Sequence, residues 1–243
     1  MRNKLKKTYF CASKIEDMAK QIDKTDKQFA QIEETLSRTE QYIEDNQKSL
    51  VIIVGAIVVI IAIYLSFVNF YLDPLEKEAH DDMYMAEIYF EKDSFNLALN
   101  GDGQFLGFLD VSDEYSLTNA GNLANYYAGL CYLHTERYED AIEYLSGFSC
   151  DDIILSTLAL GCIGDAYLEL EENNKALKYY EKATENNDNE FTTPRYLMKQ
   201  ANVLEMDGDY ISALEIYNHI KEDYSNSQIA KDIDKYIVRA SNR

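Results

Sequence analysis

Four times between residues 86 and 213 a small residue stands twelve positions ahead of an alanine: Ala86 and Ala98, Gly129 and Ala141, Gly164 and Ala176, Ala201 and Ala213. Three positions after each small residue comes a large one, Tyr89, Tyr132, Tyr167 or Leu204. Further aromatics (Phe95, Tyr138, Tyr180, Tyr210 and Tyr217) sit at helical spacing from the alanines. Such a recurrence constrains the fold more than any isolated motif, because each copy must fold alike and bury its open face on the next. The small residue lets one helix of a pair approach the other, the alanine lets the second helix close, and the aromatics fill the wedge.

This pattern resembles the tetratricopeptide repeat, a helix-turn-helix unit with a period of 34. The resemblance implies an all-α chain whose C-terminal part is a right-handed α-solenoid of about four helix pairs. The openings at 86, 129, 164 and 201 are separated by 43, 35 and 37 residues, so the first step carries an insertion of about 9. It falls in Asn100–Gly107 and the LDVSDEYS that follows. At the end, Ser225, Asn226 and Ser227 supply N-cap oxygens, and Ile229, Ile233 and Ile237 form an i, i+4, i+8 stripe. With Lys231, Asp232 and Lys235 turned outward, this reads as a capping helix. The 20 tyrosines need no ligand, since the wedges use many of them.

In this repeat the concave face is lined by positions 2, 5, 9 and 12 of the first helix, counted so that the small residue is position 8. The first unit contributes His80, Met83, Glu87 and Phe90, and the second Leu123, Tyr126, Leu130 and Leu133. The third contributes Leu158, Gly161, Asp165 and Leu168, and the last Arg195, Met198, Asn202 and Glu205. The expectation is a groove with an apolar middle and polar ends, suited to an extended chain or a partner helix. Coverage of some of these side chains by the insertion or the cap is the competing reading.

Upstream, Leu50–Leu72 is a run of 23 residues without a charge. As a helix it spans about 34 Å, against roughly 30 Å of hydrocarbon in a bilayer. Tyr64, Phe67, Phe70 and Tyr71 stand near its exit, where amphipathic aromatics favour the interface. A cleaved signal is excluded by the 49 residues ahead of it and by its length. The predicted organisation is a cytoplasmic arm at 1–49, a single transmembrane helix at 50–72 and an exported domain at 73–243. The arm carries 10 of the 23 Lys and Arg residues, which favours its retention inside.

Within the arm, Ile15, Ile22, Phe29, Leu36 and Ile43 recur every seven residues, with Met18, Thr25, Ile32 and Thr39 three positions after the first four. The pattern fits a coiled coil that forms a homodimer or docks on a partner helix. It fits equally a marginal amphipathic helix, because two threonines weaken the seam. Arg2, Lys4, Lys6 and Lys7 read as a solvated tail or a contact to anionic lipid.

The net charge of −20 repels phosphate backbones, so no nucleic acid is expected as a partner. Gly101, Gly103 and Gly107 do not make a dinucleotide loop: no strand precedes them and the last glycine is one residue late. They read instead as a break between two helical pieces. His80, His134 and His219 are isolated, and Met206-Asp207-Gly208-Asp209 lies at a helix-helix turn, not in a calcium loop. Of Cys11, Cys131, Cys150 and Cys162, a Cys131–Cys162 disulfide is conceivable, but small buried thiols suit the helical positions better. No catalytic residue, metal site or cofactor is expected, and the chain does not read as an enzyme.

The arrangement as a whole resembles the YfgM-like family, in the branch found in Bacteroidota. The stretches that carry the likeness are SRTEQYIEDNQK, FEKDSFNLALNGDG, AGNLANYYAGLCYL, ALGCIGDAYLEL and DNEFTTPRYLMK, within residues 37–243. The first 36 residues have no counterpart in the family. The resemblance implies an ancillary subunit of the Sec translocon in the bacterial inner membrane. Its implied partners are SecYEG, a periplasmic chaperone of the PpiD type and translocating polypeptides, with the lipid bilayer contacted through Leu50–Leu72. Alternatives are a membrane-anchored repeat adaptor for envelope assembly and an accessory subunit of another membrane complex.

Overall fold

The computed structural model describes residues 45–243. The heptad positions of the arm, its basic tail and Cys11 lie outside the described residues. The chain divides into two compact units, one ending at Phe67 and one running from Val68 to Arg243. In the first, the described residues form a helix, α1 (residues 45–67), whose residues 51–67 are all exposed. A row of exposed Ile, Val and Leu has no stable place in water, where each buried methylene is worth about 0.8 kcal/mol. Among the described residues one helix, Asp45–Glu91, is long and apolar enough to cross a membrane.

The second unit is helical throughout, with no strand among the described residues. A π-helical turn, Val68–Leu72, precedes α2 (Asp73–Glu91), which opens with Pro74 and with Asp73 and Glu76 in its first turn. Then follow α3 (Phe95–Asn100), α4 (Phe108–Glu114), α5 (Asn119–His134), α6 (Tyr138–Gly147), α7 (Ile153–Glu169) and α8 (Asn173–Asn186). The last elements are α9 (Thr193–Met206), α10 (Tyr210–Asp223), a 3-10 turn (Ala230–Asp232) and α11 (Ile233–Ser241). The first helices of the pairs are thus α2, α5, α7 and α9, each returning through a second helix. Helix α11 closes the stack as the capping helix.

The four turns inside the pairs are built alike. Each places one residue at positive φ: Asp93 (56°), Glu136 (60°), Glu171 (60°) and Gly208 (83°). The next amide then reaches back five residues, from Ser94 to Tyr89 (2.8 Å), Arg137 to Tyr132 (2.9 Å), Glu172 to Tyr167 (2.9 Å) and Asp209 to Leu204 (2.8 Å). This is the Schellman closure of a helix end. Its acceptors are the large residues three positions after each small one.

The small residues do what their spacing implies. Ala86, Ala98, Ala141, Ala176, Ala201 and Ala213 are fully buried. A Cβ on Gly129 would lie 2.5 Å from Leu145 of α6, and one on Gly164 would lie 2.5 Å from the Tyr180 ring of α8. Both contacts place the eighth position of a first helix directly under its second helix. The core is a chain of four clusters passed from pair to pair, the arrangement expected when each unit contacts only its neighbours.

The first pair departs from the pattern. Helix α3 has only 6 residues and stops at Gly101, whose φ is 72°. Asp102 then accepts from the backbone N–H of Gln104 and Phe105 (2.9 Å each) and from the Tyr89 hydroxyl (2.7 Å). The chain resumes as α4, with Phe108 and Val111 fully buried. The glycines therefore break the chain between two helical pieces. The second piece, Phe108–Glu114, is helical with Phe108, Val111 and Ser112 on its buried face, so part of the inserted length is an extra short helix packed on α5.

Candidate functional site

The first-helix face is the surface on which a partner was expected, and the structure divides its residues. Met83 is 1 % exposed and belongs to the core of the first pair. Tyr126 (8 %) packs against Phe148 with the rings tilted, and Met198 (9 %) joins the cluster shared by α9, α10 and α11. Phe90 is half-buried among the rings of Phe95 (5.6 Å), Phe108 (6.4 Å) and Tyr127 (5.3 Å). Exposed Tyr and Met side chains in the groove are thus corrected to core side chains. These solenoid units are thin, and a large residue on the concave side reaches the next helix before it reaches solvent. Gly161 is also covered, since a Cβ there would lie 2.0 Å from the Tyr196 ring.

Leu123, Leu130 and Leu133 on α5 and Leu158 and Leu168 on α7 remain half-buried. They form the accessible apolar floor. Around them stand polar groups. His80 is exposed and lies 3.3 Å from Glu76. Burial raises the Glu87 carboxyl above the usual range, with His80 opposing and Glu91 reinforcing the shift. Arg195 is exposed, with its guanidinium 5.8 Å from the Phe191 ring centre.

Asp165 is the most connected of these side chains. It accepts from the Tyr180 hydroxyl (2.7 Å) and from the Lys199 ammonium (2.5 and 2.7 Å), so one carboxylate ties α7 to α8 and α9. In the last pair Asn202 takes the same position and accepts from Tyr217 (3.2 Å). Glu205 pairs with Arg239 of α11, with Nε 3.3 Å from Oε1. Asp165, Asn202 and Glu205 therefore fasten the solenoid as well as lining it. Sequence reasoning missed the Asp165–Lys199, Asn173–Asp207 and Glu205–Arg239 pairs, although their partners are all 34 positions apart. Opposite or complementary side chains one repeat period apart were the available signal.

Cys131, Cys150 and Cys162 are free, the first buried and the others half-buried. Burial pushes the Cys131 thiol up to about 12. Cys162 is likewise pushed up to about 12 by burial, with Asp165 adding to the shift and Lys199 and Arg195 opposing it. Thiols held protonated in this way are poor nucleophiles and poor metal ligands. Among the described residues no three His, Cys, Asp or Glu side chains are placed to hold a metal ion.

Comparison with known proteins agrees with this geometry. Residues 163–227 match the tetratricopeptide-repeat family model. Two crystal structures of the nearly identical TPR-like repeats of a Podosopora anserina protein assigned as a kinesin light chain are similar. One gives a TM-score of 0.52 at 10 % identity, over 69 % of this chain and 87 % of that one. The other, a single-residue variant of those repeats, gives 0.51 at 11 % identity, over 69 % and 86 %. A structure of MamA is 18 % identical over 68 % of this chain and 90 % of its own, with a TM-score of 0.48. No curated protein matches the chain by sequence. The second unit is a tetratricopeptide-type α-solenoid, an architecture that is typically a non-catalytic scaffold for protein–protein contacts.

Proposed function

We propose that the protein is a membrane-anchored interaction scaffold whose solenoid holds an extended segment or a helix of another protein on its first-helix face. The observation that carries this reading is the half-buried leucine floor of α5 and α7, with polar groups on either side of it. An apolar strip with polar flanks is what an amphipathic or extended peptide buries against. Leu123, Leu130, Leu133, Leu158 and Leu168 would supply the contact, with His80, Glu87, Arg195, Asn202 and Glu205 setting orientation. Met83, Tyr126 and Met198 would act from beneath, by holding the floor in shape.

The finer reading follows from the YfgM-like resemblance. Residues 1–49 would lie in the cytoplasm, 50–72 in the bacterial inner membrane and 73–243 in the periplasm. The scaffold would associate with SecYEG and a PpiD-type chaperone and assist newly exported polypeptides. Photo-crosslinkers at Leu130 and Leu158 of the full chain, with exposed Lys178 on α8 as the control, test the face and the partner together. Capture of SecY, a periplasmic chaperone or exported chains from the leucines alone is the expected result. Equal capture from Lys178 would remove the face, and capture of envelope-assembly proteins instead would replace the translocon with another complex.

A further inference from the structure

The second helices of the pairs differ in length. Helix α6 stops after 10 residues, whereas α8 and α10 each run for 14. In α8 the last turn closes against α7: Ala183 is fully buried, and the Asn186 side chain donates to the hydroxyls of Ser156 (2.9 Å) and Thr157 (2.8 Å). Helix α6 lacks that turn. It ends at Gly147, and Phe148 leaves in extended backbone (φ −81°, ψ 135°). The Phe148 ring turns inward on Tyr126. Asn122 of α5 then holds the next residue, donating to the Ser149 carbonyl (2.6 Å) and accepting from the Ser149 N–H (3.2 Å).

A cavity of about 330 Å³ lies beside this early exit, bounded by the end of α6, the loop at 148–150, α7 and α8. Its volume falls at the small end of the roughly 300–1,000 Å³ usual for small-molecule sites. The cavity is separate from the first-helix face. That face uses positions 158, 161, 165 and 168 of α7, while the cavity uses Ser156, Ala159, Leu160 and Ile163 on the other side of the helix. Leu145, Phe148, Ala159 and Ile163 are buried and make its floor. The lining carries one cation, Lys182, and no carboxylate, in a chain of net charge −20. The Lys182 ammonium sits 4.3 Å from the centre of the Tyr179 ring, which is itself part of the wall.

We propose that this cavity binds a medium-chain alkanoate, with the alkyl body on the apolar floor and the carboxylate at the mouth, paired with Lys182. Burial of methylenes supplies the affinity. The carboxylate supplies the selectivity, since it gains a cation while staying in contact with water. A neutral alcohol of equal length gains the floor alone. The carboxyl end of a peptide carries the same two groups, but its amide N–H groups need acceptors as they leave water. The walls offer serine hydroxyls for that purpose and no carboxylate or amide side chain, which favours the free acid.

The full chain in phosphatidylcholine nanodiscs would be photolabelled with a diazirine-bearing octanoate, and the modified residues mapped by mass spectrometry. The expected result is saturable labelling within 145–163 and 179–182 that plain octanoate displaces, with octanol about fivefold less effective. Lys182→Gln weakens capture by about the same factor, and Lys182→Arg restores it. Both changes fall on an exposed side chain, so the fold is retained, which circular dichroism checks. Labelling confined to residues outside the cavity would overturn the proposal by showing partition into lipid. Equal displacement by octanol, or unchanged capture by Lys182→Gln, would overturn it by showing an apolar cleft without preference for an acid. Displacement by a short peptide ending in leucine, and not by octanoate, would overturn it in favour of a chain terminus.

Discussion

Asp93, Glu136 and Glu171 hold left-handed backbone that glycine holds at Gly208 in the last turn. A side chain in this region costs roughly 1–2 kcal/mol, and glycine gives back about 0.5–1 kcal/mol through the greater freedom of the unfolded chain. The difference predicts that Glu171→Gly stabilises the solenoid by about 0.5–1 kcal/mol, read as a higher urea midpoint at unchanged slope. A lower midpoint would mean that the Glu171 side chain contributes more than its backbone costs. The small residues at 129 and 164 were legible in the sequence because a missing side chain has one steric meaning at a close helix approach. The left-handed residues were not, because Asp and Glu do not announce a positive φ as glycine does. The sequence assigns Asp165 to the first-helix face, but its bonds to Tyr180 and Lys199 depend on side-chain reach across two neighbouring helices.

At the scale of elements, tyrosines couple the helices to one another and to pH. Burial, with a hydrogen bond to Asp188, pushes the Tyr224 hydroxyl up to about 12. Burial and Asp165 likewise raise Tyr180. A tyrosine in the unfolded chain loses its proton near pH 10. Below that pH both states are protonated and the full stabilisation is present. Between about pH 10 and 12 the unfolded chain releases protons that the fold retains, so stability falls as pH rises. Tyr224→Phe loses its hydrogen bond and unfolds more easily at neutral pH by about 0.5–1.5 kcal/mol, but its decline above pH 10 is shallower. Urea midpoints across that range check it, and an unchanged alkaline slope would show that Tyr224 ionises alike in both states. The helix pairs themselves were legible because the twelve-residue spacing repeats. The division of the first second-helix into α3 and α4 was legible as a glycine-bearing break between two helical pieces. Where Phe108 seats, against Phe90 of α2 and Tyr127 of α5, was not, because it depends on tertiary packing.

Across the whole molecule, the period and the cap were readable because both are patterns of one-dimensional stacking. The burial of the concave Tyr and Met residues was not, since it depends on how closely successive first helices approach. The same stacking decides how the protein comes apart. Each of the four core clusters is shared by adjacent helices, so damage should spread to its neighbours and fade with distance. Ile233, 1 % exposed, packs at the end of the chain with Tyr217, Ile220 and Tyr224 of the α9–α11 cluster. Ile233→Ala removes buried methyl groups from a fully enclosed site, a loss of about 2–5 kcal/mol where surrounding helices cannot collapse. Amide exchange should then accelerate in α9, α10 and α11, because their cluster loses its closing residue. Amides of α5 and α7 should keep their protection, because they draw on the clusters around Tyr126 and Ile163. An equal loss of protection in α5 and α9 would show a single cooperative core. A gradient falling from α11 toward α5 is the outcome that the chain of separate clusters requires.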